Sequence, residues 1–264
     1  MSRAPETILV TGGSGFIGAN FIWYLFEEAK FQGRVINLDA LTYAGNPENL
    51  LDIDANYANQ YRFVHGSITD ADLVNSLFAN EEIDTVVHFA AESHVDRSIH
   101  GPGEFVQTNI IGTFTLLEAA RAAWKDKSDV LFHHVSTDEV FGSLGETGYF
   151  TEETPYDPRS PYSASKSSSD HLVRAYHHTY DLPITLTNCS NNYGPYQFPE
   201  KLIPVMIFNM MDRKPLPIYG DGKNIRDWLY VEDHDSAVWR VIQDGRNGES
   251  YNIGGENEWE NLRL

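Results

Sequence analysis

The stretch from Thr7 to Leu25 constrains the fold more than any other. Thr7-Ile8-Leu9-Val10-Thr11 is a short, β-branched apolar run, and Gly12-Gly13-Ser14-Gly15-Phe16-Ile17-Gly18 follows at once. Ile17, Phe21 and Leu25 then recur every four residues, the stripe of a helix buried on one side. Strand, glycine turn and helix in this order are the context in which a glycine triplet reads as a dinucleotide site. Gly12 permits the tight turn, Gly15 lets a pyrophosphate approach the backbone, and Gly18 lets the helix pack close on the strand. The helix N-terminus, opening at Phe16 and Ile17, then holds the phosphates.

A second strand, Arg34 to Leu38, ends at Asp39, which lies 21 residues after Gly18. That is close to the ~20 expected for the acid that binds the adenosine ribose. A carboxylate there accepts from the 2′-OH and repels a 2′-phosphate, so it favours NAD over NADP. An Asp capping a turn would leave the same letter.

Further strands are expected at Tyr61–Val64, Thr85–Phe89, Val130–Val135 and Ile184–Thr187. Helices fall between them: a short one near Leu50-Leu51, one capped by Asp70, and a long one through Val106, Ile110, Phe114 and Leu117. This alternation predicts an α/β fold, a doubly wound parallel sheet of Rossmann type. After the fourth strand come Ala90-Ala91-Glu92-Ser93, small residues that let a cofactor lie against the backbone. Beyond residue 190 the rhythm breaks at Pro195, Pro199, Pro204, Pro215 and Pro217. Residues 1–190 are therefore expected to form the NAD-binding domain and 191–264 a smaller substrate-binding lobe.

The chemistry lies between Ser136 and Lys166. Ser136-Thr137-Asp138-Glu139 follows the fifth strand, placing a hydroxyl and two carboxylates where open sheets bind ligands. Tyr162 and Lys166 are four apart, and with Pro161 opening a helix they share one face. An ammonium near a phenol favours phenolate and is expected to lower the Tyr162 pKa. Taken alone, the pair also suits the exposed face of a capped helix.

With 19 basic against 38 acidic residues the formal charge is −19, which argues against a nucleic-acid backbone as partner. The single cysteine, Cys189, excludes an internal disulfide framework and fits a reducing compartment. No apolar run approaches the ~18 residues that span a bilayer, and no signal peptide is expected before the first strand. A cytoplasmic protein without a membrane partner is expected. His133-His134 and His177-His178 lack metal-ligand spacing, so no metal is expected.

With these pieces in place, the chain resembles the extended short-chain dehydrogenases/reductases, and among them the dTDP-glucose 4,6-dehydratases. The likeness rests on Thr11 to Gly18, Leu41-Thr42-Tyr43-Ala44-Gly45-Asn46, Ala90 to Ser98, Ser136 to Gly142, Tyr162 to Lys166, the Asn188 to Pro204 block, and Gly220 through Asp233. It covers nearly the whole chain. Thr137-Asp138-Glu139 is the discriminating block, because related epimerases lack that acid pair.

The resemblance implies a lyase of deoxysugar biosynthesis acting on a nucleotide sugar, with NAD as cofactor. It implies that Tyr162, helped by Lys166, accepts the 4-hydroxyl proton, that Thr137 orients that hydroxyl, that Glu139 removes the C5 proton and that Asp138 protonates the departing 6-hydroxyl. Asn191, Lys201, Arg226 and Asn261 match positions around the substrate diphosphate, with Ser93 at both substrate and cofactor. Thr108 matches a position near the cofactor, and Ser67-Ile68 stand where relatives often carry an acid-Ile pair by the adenine. Ala40 replaces a common Lys after the ribose acid. The family's usual chain runs further, so a longer substrate lobe is expected than 264 residues supply. The resemblance also implies a homodimer through paired helices. Two other readings stay open: another nucleotide-sugar epimerase or dehydratase, and a non-catalytic NAD-binding scaffold.

Overall fold

The computed structural model describes residues 2–145, 147–218 and 220–264. In chain order, β1 (Thr7–Thr11), α1 (Phe16–Glu27), β2 (Arg34–Asp39), α2 (Leu51–Asn56), β3 (Tyr61–His65), α3 (Ala71–Asn80) and β4 (Thr85–His88) come first. α4 (Val95–His100), α5 (Pro102–Phe105), α6 (Thr113–Ala123), β5 (Leu131–Thr137), α7 (Pro161–Tyr180) and β6 (Ile184–Cys189) follow. β7 (Asn191–Tyr193), α8 (Leu202–Met211), β8 (Ile225–Tyr230), α9 (Val231–Asp244), β9 (Ser250–Ile253) and β10 (Glu258–Glu260) complete the order.

Every residue of β1 and β4 is buried, as expected of central strands covered on both faces. They lie in a seven-stranded sheet of order β3-β2-β1-β4-β5-β6-β9, parallel throughout. Two apolar layers sandwich it. Leu9, Leu38, Val86, Leu116 and Phe132 belong to one, and Ile8, Val10, Phe21, Phe26 and Val87 to the other. Each such side chain stabilises the fold by roughly 1.5–3 kcal/mol on burial. The strand order reverses between β1 and β4, so the crevice for a ligand opens at their carboxyl ends.

The segment after residue 190 is shared between two units. β7, β8 and β10 form a separate three-stranded sheet. α9 returns to pack on α1, and β9 pairs with β6 as the seventh strand of the large sheet. The prolines of 195–217 mark the start of the lobe, whereas Val231, Val238 and Ile242 form an apolar stripe that sends the chain back to the core.

The long helix around Val106 differs from expectation. Between α5 and α6, Val106–Gly112 runs in wide π-type turns. One residue is added to the turn, so the register of the apolar stripe slips. Val106 and Phe114 point outward at 47% and 43% exposure, while Asn109, Thr113 and Leu116 are buried. Among the described residues, no helix is long and apolar enough to cross a membrane.

Candidate active site

The glycine turn has the shape its spacing predicts. Gly12 has φ +72°, and a Cβ there would lie 2.7 Å from the backbone of Ala90, so only glycine fits. A Cβ on Gly18 would run into the carbonyl of Gly12. Gly15 differs: a Cβ would meet only the Gly12 oxygen, at 3.3 Å, and would otherwise fill an open cradle. No side chain caps α1, so the N–H groups of Phe16, Ile17 and Gly18 are left for an anion at the positive end of the helix.

Asp39 ends β2 beside this cradle. Its Oδ2 accepts from the Ser14 N–H at 2.9 Å and its Oδ1 from the Leu41 N–H at 2.7 Å. Burial pushes this carboxyl up and the two N–H groups oppose the shift. Each oxygen keeps a lone pair for a ribose hydroxyl. An uncapped helix end, an open glycine cradle and a fixed acid suit the pyrophosphate and adenosine ribose of NAD. Ser67 bonds the Thr69 hydroxyl at 2.8 Å in a local turn, and Ile68 is buried against Gly112. Thr108 lies half-buried in the π segment.

Two elements position the reacting groups. Ser160 and Ser163 form a reciprocal capping box at the start of α7, with Pro161 in the first turn. That fixes the helix phase, and Tyr162 and Lys166 both turn inward, at 9% and 4% exposure. Opposite them, Thr137 closes β5 and caps a short 3-10 turn, Asp138–Phe141. Its Oγ1 accepts from the Glu139 N–H at 3.2 Å and donates to Asp138 Oδ1 at 3.2 Å. The Tyr162 phenol lies close enough to this same side chain for the Thr137 hydroxyl to favour its ionised form.

The expected lowering of the Tyr162 pKa by Lys166 is not what the protein provides. Burial pushes the phenol well up, and the charge of Glu139 adds to this, while the nearby Thr137 side chain opposes it. Lys166 Nζ donates to the Val135 carbonyl at 2.8 Å, and its own burial pulls its pKa down. Taking a phenol out of water outweighs an ammonium already committed to the strand.

The acid pair is differentiated by its surroundings. Burial, and then the neighbouring Glu139, push Asp138 up to about 6. Glu139 is also raised by burial, but Arg226 and Lys201 pull it back. The Glu139 charge thus favours protonated Asp138, while Arg226 and Lys201 favour ionised Glu139, an arrangement that suits an acid beside a base. Lys201 opens α8, with Nζ 3.4 Å from the Ser93 carbonyl. Arg226 lies exposed on β8. Asn191 stands in β7 opposite Trp228. Asn261 follows β10, its N–H bonded to the Asn224 carbonyl at 3.0 Å. Its side-chain oxygen is buried without a partner among the described residues. The large sheet therefore brings Thr137, Asp138, Glu139, Tyr162 and Lys166 together, and the small lobe contributes the cations.

Sequence reasoning missed Asn109. It is 2% exposed inside the π segment and holds three partners. Its Oδ1 accepts from the Glu92 N–H at 2.8 Å, and its Nδ2 donates to the Glu92 carbonyl at 2.9 Å and to Ser165 Oγ at 2.8 Å. It ties the loop after β4 to the helix carrying Tyr162. An Asn amid the apolar run Ile110-Ile111 was the available signal. Missed as well was the cluster over the crevice: the Arg97 guanidinium lies 3.7 Å from the Tyr43 ring centroid, and Phe198 meets that ring edge-on at 5.7 Å.

Residues 9–264 match the family model described as GDP-mannose 4,6 dehydratase. The dTDP-glucose 4,6-dehydratase of Xanthomonas campestris pv. campestris (strain B100) is 58% identical over 264 residues, 98% of this chain and 74% of that protein. The solved dTDP-glucose 4,6-dehydratase of Streptomyces venezuelae, with NAD bound, superposes with a TM-score of 0.91 at 50% identity, over 98% of this chain and 78% of that one. A UDP-glucose 4-epimerase from Thermotoga maritima reaches a TM-score of 0.87 at only 29% identity, over 98% of this chain and 80% of that one. The fold thus spans more than one chemistry. A chain matching this model from residue 9 onward, and sharing over half its residues with such an enzyme, belongs to the nucleotide-sugar 4,6-dehydratase family, in the branch of the dTDP-glucose 4,6-dehydratases.

Proposed function

We propose that this chain is an NAD-dependent lyase converting dTDP-glucose to dTDP-4-keto-6-deoxyglucose. The observation that carries this reading is the acid pair at the end of β5, beside Tyr162, with Glu139 favouring protonated Asp138 and Lys201 and Arg226 favouring ionised Glu139. When bound, NAD supplies the hydride acceptor for C4 and the hydride donor for C6. Gly12, Gly15, Phe16, Ile17 and Gly18 would hold its pyrophosphate and Asp39 its adenosine ribose. Ser67 and Ile68 would border the adenine, and Ala90, Ser93, Thr108, Tyr162 and Lys166 the rest.

Tyr162 takes the 4-hydroxyl proton while Thr137 orients that hydroxyl, and the Lys166 ammonium is the counter-charge an ionised phenol requires. The C4 ketone acidifies the C5 proton. Glu139 removes it, and Asp138 gives its proton to the 6-hydroxyl, which leaves as water. Glu139 then returns its proton to C5. The proton gained at Tyr162 balances the one lost from Asp138, and exchange with water resets both. Lys201, Arg226, Asn191 and Asn261 would hold the diphosphate and its surroundings, with residues 191–264 supplying most of the substrate lobe and 1–190 most of the cofactor site.

We infer a homodimer from the apolar side chains left exposed along these helices, Ile99 on α4, Val106 and Ile111 in the π segment and Phe114 on α6. A cytoplasmic location fits the single, buried Cys189. The test of function is incubation with dTDP-glucose, beside UDP-glucose and GDP-mannose, and mass analysis of the sugar. A product one water lighter from dTDP-glucose is expected. A sugar of unchanged mass but inverted stereochemistry would mean an epimerase, and an untouched sugar a scaffold; either overturns the reading.

A further inference from the structure

One buried carboxylate has no part in the chemistry above. Asp170 lies one helical turn beyond Lys166 on α7 and is fully buried. A carboxylate held so far from water needs partners. Ser136 Oγ donates to its Oδ2 at 2.8 Å, the Tyr156 hydroxyl donates to the same oxygen at 3.0 Å, and His134 Nε2 lies 3.1 Å from Oδ1. Arg174 Nη2 donates to the Tyr156 hydroxyl at 3.0 Å and anchors the outer end of the network on Ser250 Oγ at 3.0 Å.

Two charged residues of α7, Lys166 and Asp170, are fastened to adjacent residues of one strand. Lys166 reaches the Val135 carbonyl and Asp170 the Ser136 hydroxyl, each at 2.8 Å. Helix and strand therefore hold Lys166 and Asp170 one helical turn apart in fixed register. We propose that Asp170 is a positioning residue for the dehydratase reaction: it is the buried counter-anion that keeps Lys166 charged and aimed at the reacting phenol. This inference rests on the function proposed above.

The surrounding groups leave that task to Asp170. On β5, His134 is pulled down to about 4 by burial and by Lys166, so it is neutral at pH 7. On β4, His88 is held well below its usual value by burial and then by His134. On β6, the Cys189 thiol is pushed up to about 12 by burial. Tyr156 is raised by burial and stays neutral, while Tyr162 is the phenol whose ionised form the Lys166 charge must stabilise against burial. Asp138 and Glu139 act by their charges on the Tyr162 phenol and are not among the charges acting on Lys166. Asp170 itself is held below the usual carboxylate range by His134, Lys166 and Ser136 despite its burial. It supports the Lys166 charge that burial would remove.

The experiment uses NAD-loaded enzyme and compares wild type with Asp170→Asn. Lys166 is titrated by side-chain carbon NMR, assigned by its loss in Lys166→Met, and kcat and KM for dTDP-glucose are followed against pH. In Asp170→Asn the Lys166 titration is expected to fall by about a unit or more, a tenfold or greater change. The alkaline limb of kcat should move down with it, while KM changes less than about threefold. Unchanged Lys166 titration and an unchanged pH profile would overturn the proposal. Should Asp170→Asn not fold, Asp170→Ser and Asp170→Glu replace it: the serine should lower the Lys166 titration and the glutamate should hold it near wild type, and no difference between the two overturns the proposal. If wild type leaves dTDP-glucose untouched, the proposed function falls, and the Lys166 titration still decides this point.

Discussion

The Thr137 hydroxyl lies beside the Tyr162 phenol and opposes the burial that raises the phenol's pKa. The proton acceptor thus lies beside the strand end that carries the acid pair. Tyr162→Phe keeps the packing against Phe105, whose ring centroid lies 6.3 Å away, and removes only the hydroxyl. Turnover should fall by about 10²–10⁴-fold, the range for a general base, with NAD affinity unchanged. Wild-type turnover, measured beside NAD binding by calorimetry, would refute the assignment.

Glu139→Gln separates the two halves of the reaction. Oxidation at C4 should proceed, seen as reduced nicotinamide absorbance, and elimination should stall. Removing the Glu139 charge should also lower the Asp138 pKa from about 6, because that charge is the second cause of its rise. Full-speed loss of water in this variant would mean that another group is the base.

Asp138 trades stability for chemistry. Its folded pKa of about 6 lies above the ordinary 3.8, so between those values the folded state keeps a proton that the unfolded chain has released. Its contribution therefore declines as pH rises through that window and stays unfavourable above it. Asp138→Asn should be more stable at pH 8, by on the order of 2 kcal/mol, and little changed near pH 4. Urea unfolding at the two pH values measures this; an equal effect at both would contradict it.

The crevice is bridged from both sides. Tyr43 comes from the loop after β2, Arg97 from α4, and Phe198 and Glu200 from the start of the small lobe. Cation–π and edge-on aromatic contacts are together worth about 1–2 kcal/mol. Tyr43→Ala should therefore speed NAD release by roughly tenfold. Stopped-flow displacement of NAD reads it, and an unchanged off-rate would show that the bridge does not retain the cofactor.

Much of this was legible in the letters because local rules and the global fold agree. Thr7 to Gly18 could form only a strand, a tight turn and an uncapped helix, and the structure has these elements. Ser160 and Pro161 set the phase of α7, which turned Tyr162 and Lys166 to one side. What failed needed three dimensions. The depth at which Tyr162 lies decides the sign of its shift, and four-residue spacing says nothing of depth. The π segment depends on Asn109 finding Glu92 and Ser165, partners 17 and 56 residues away. The return of α9 and β9 to the large sheet was hidden by the prolines before it, although the apolar stripe of α9 was in view.

The most direct test uses dTDP-glucose carrying deuterium at C4. If oxidation and reduction occur on one sugar held in one site, the label must reappear at C6 of the same molecule, in the 4-keto-6-deoxy product. Label washed into solvent, or retained at C4, would contradict the account.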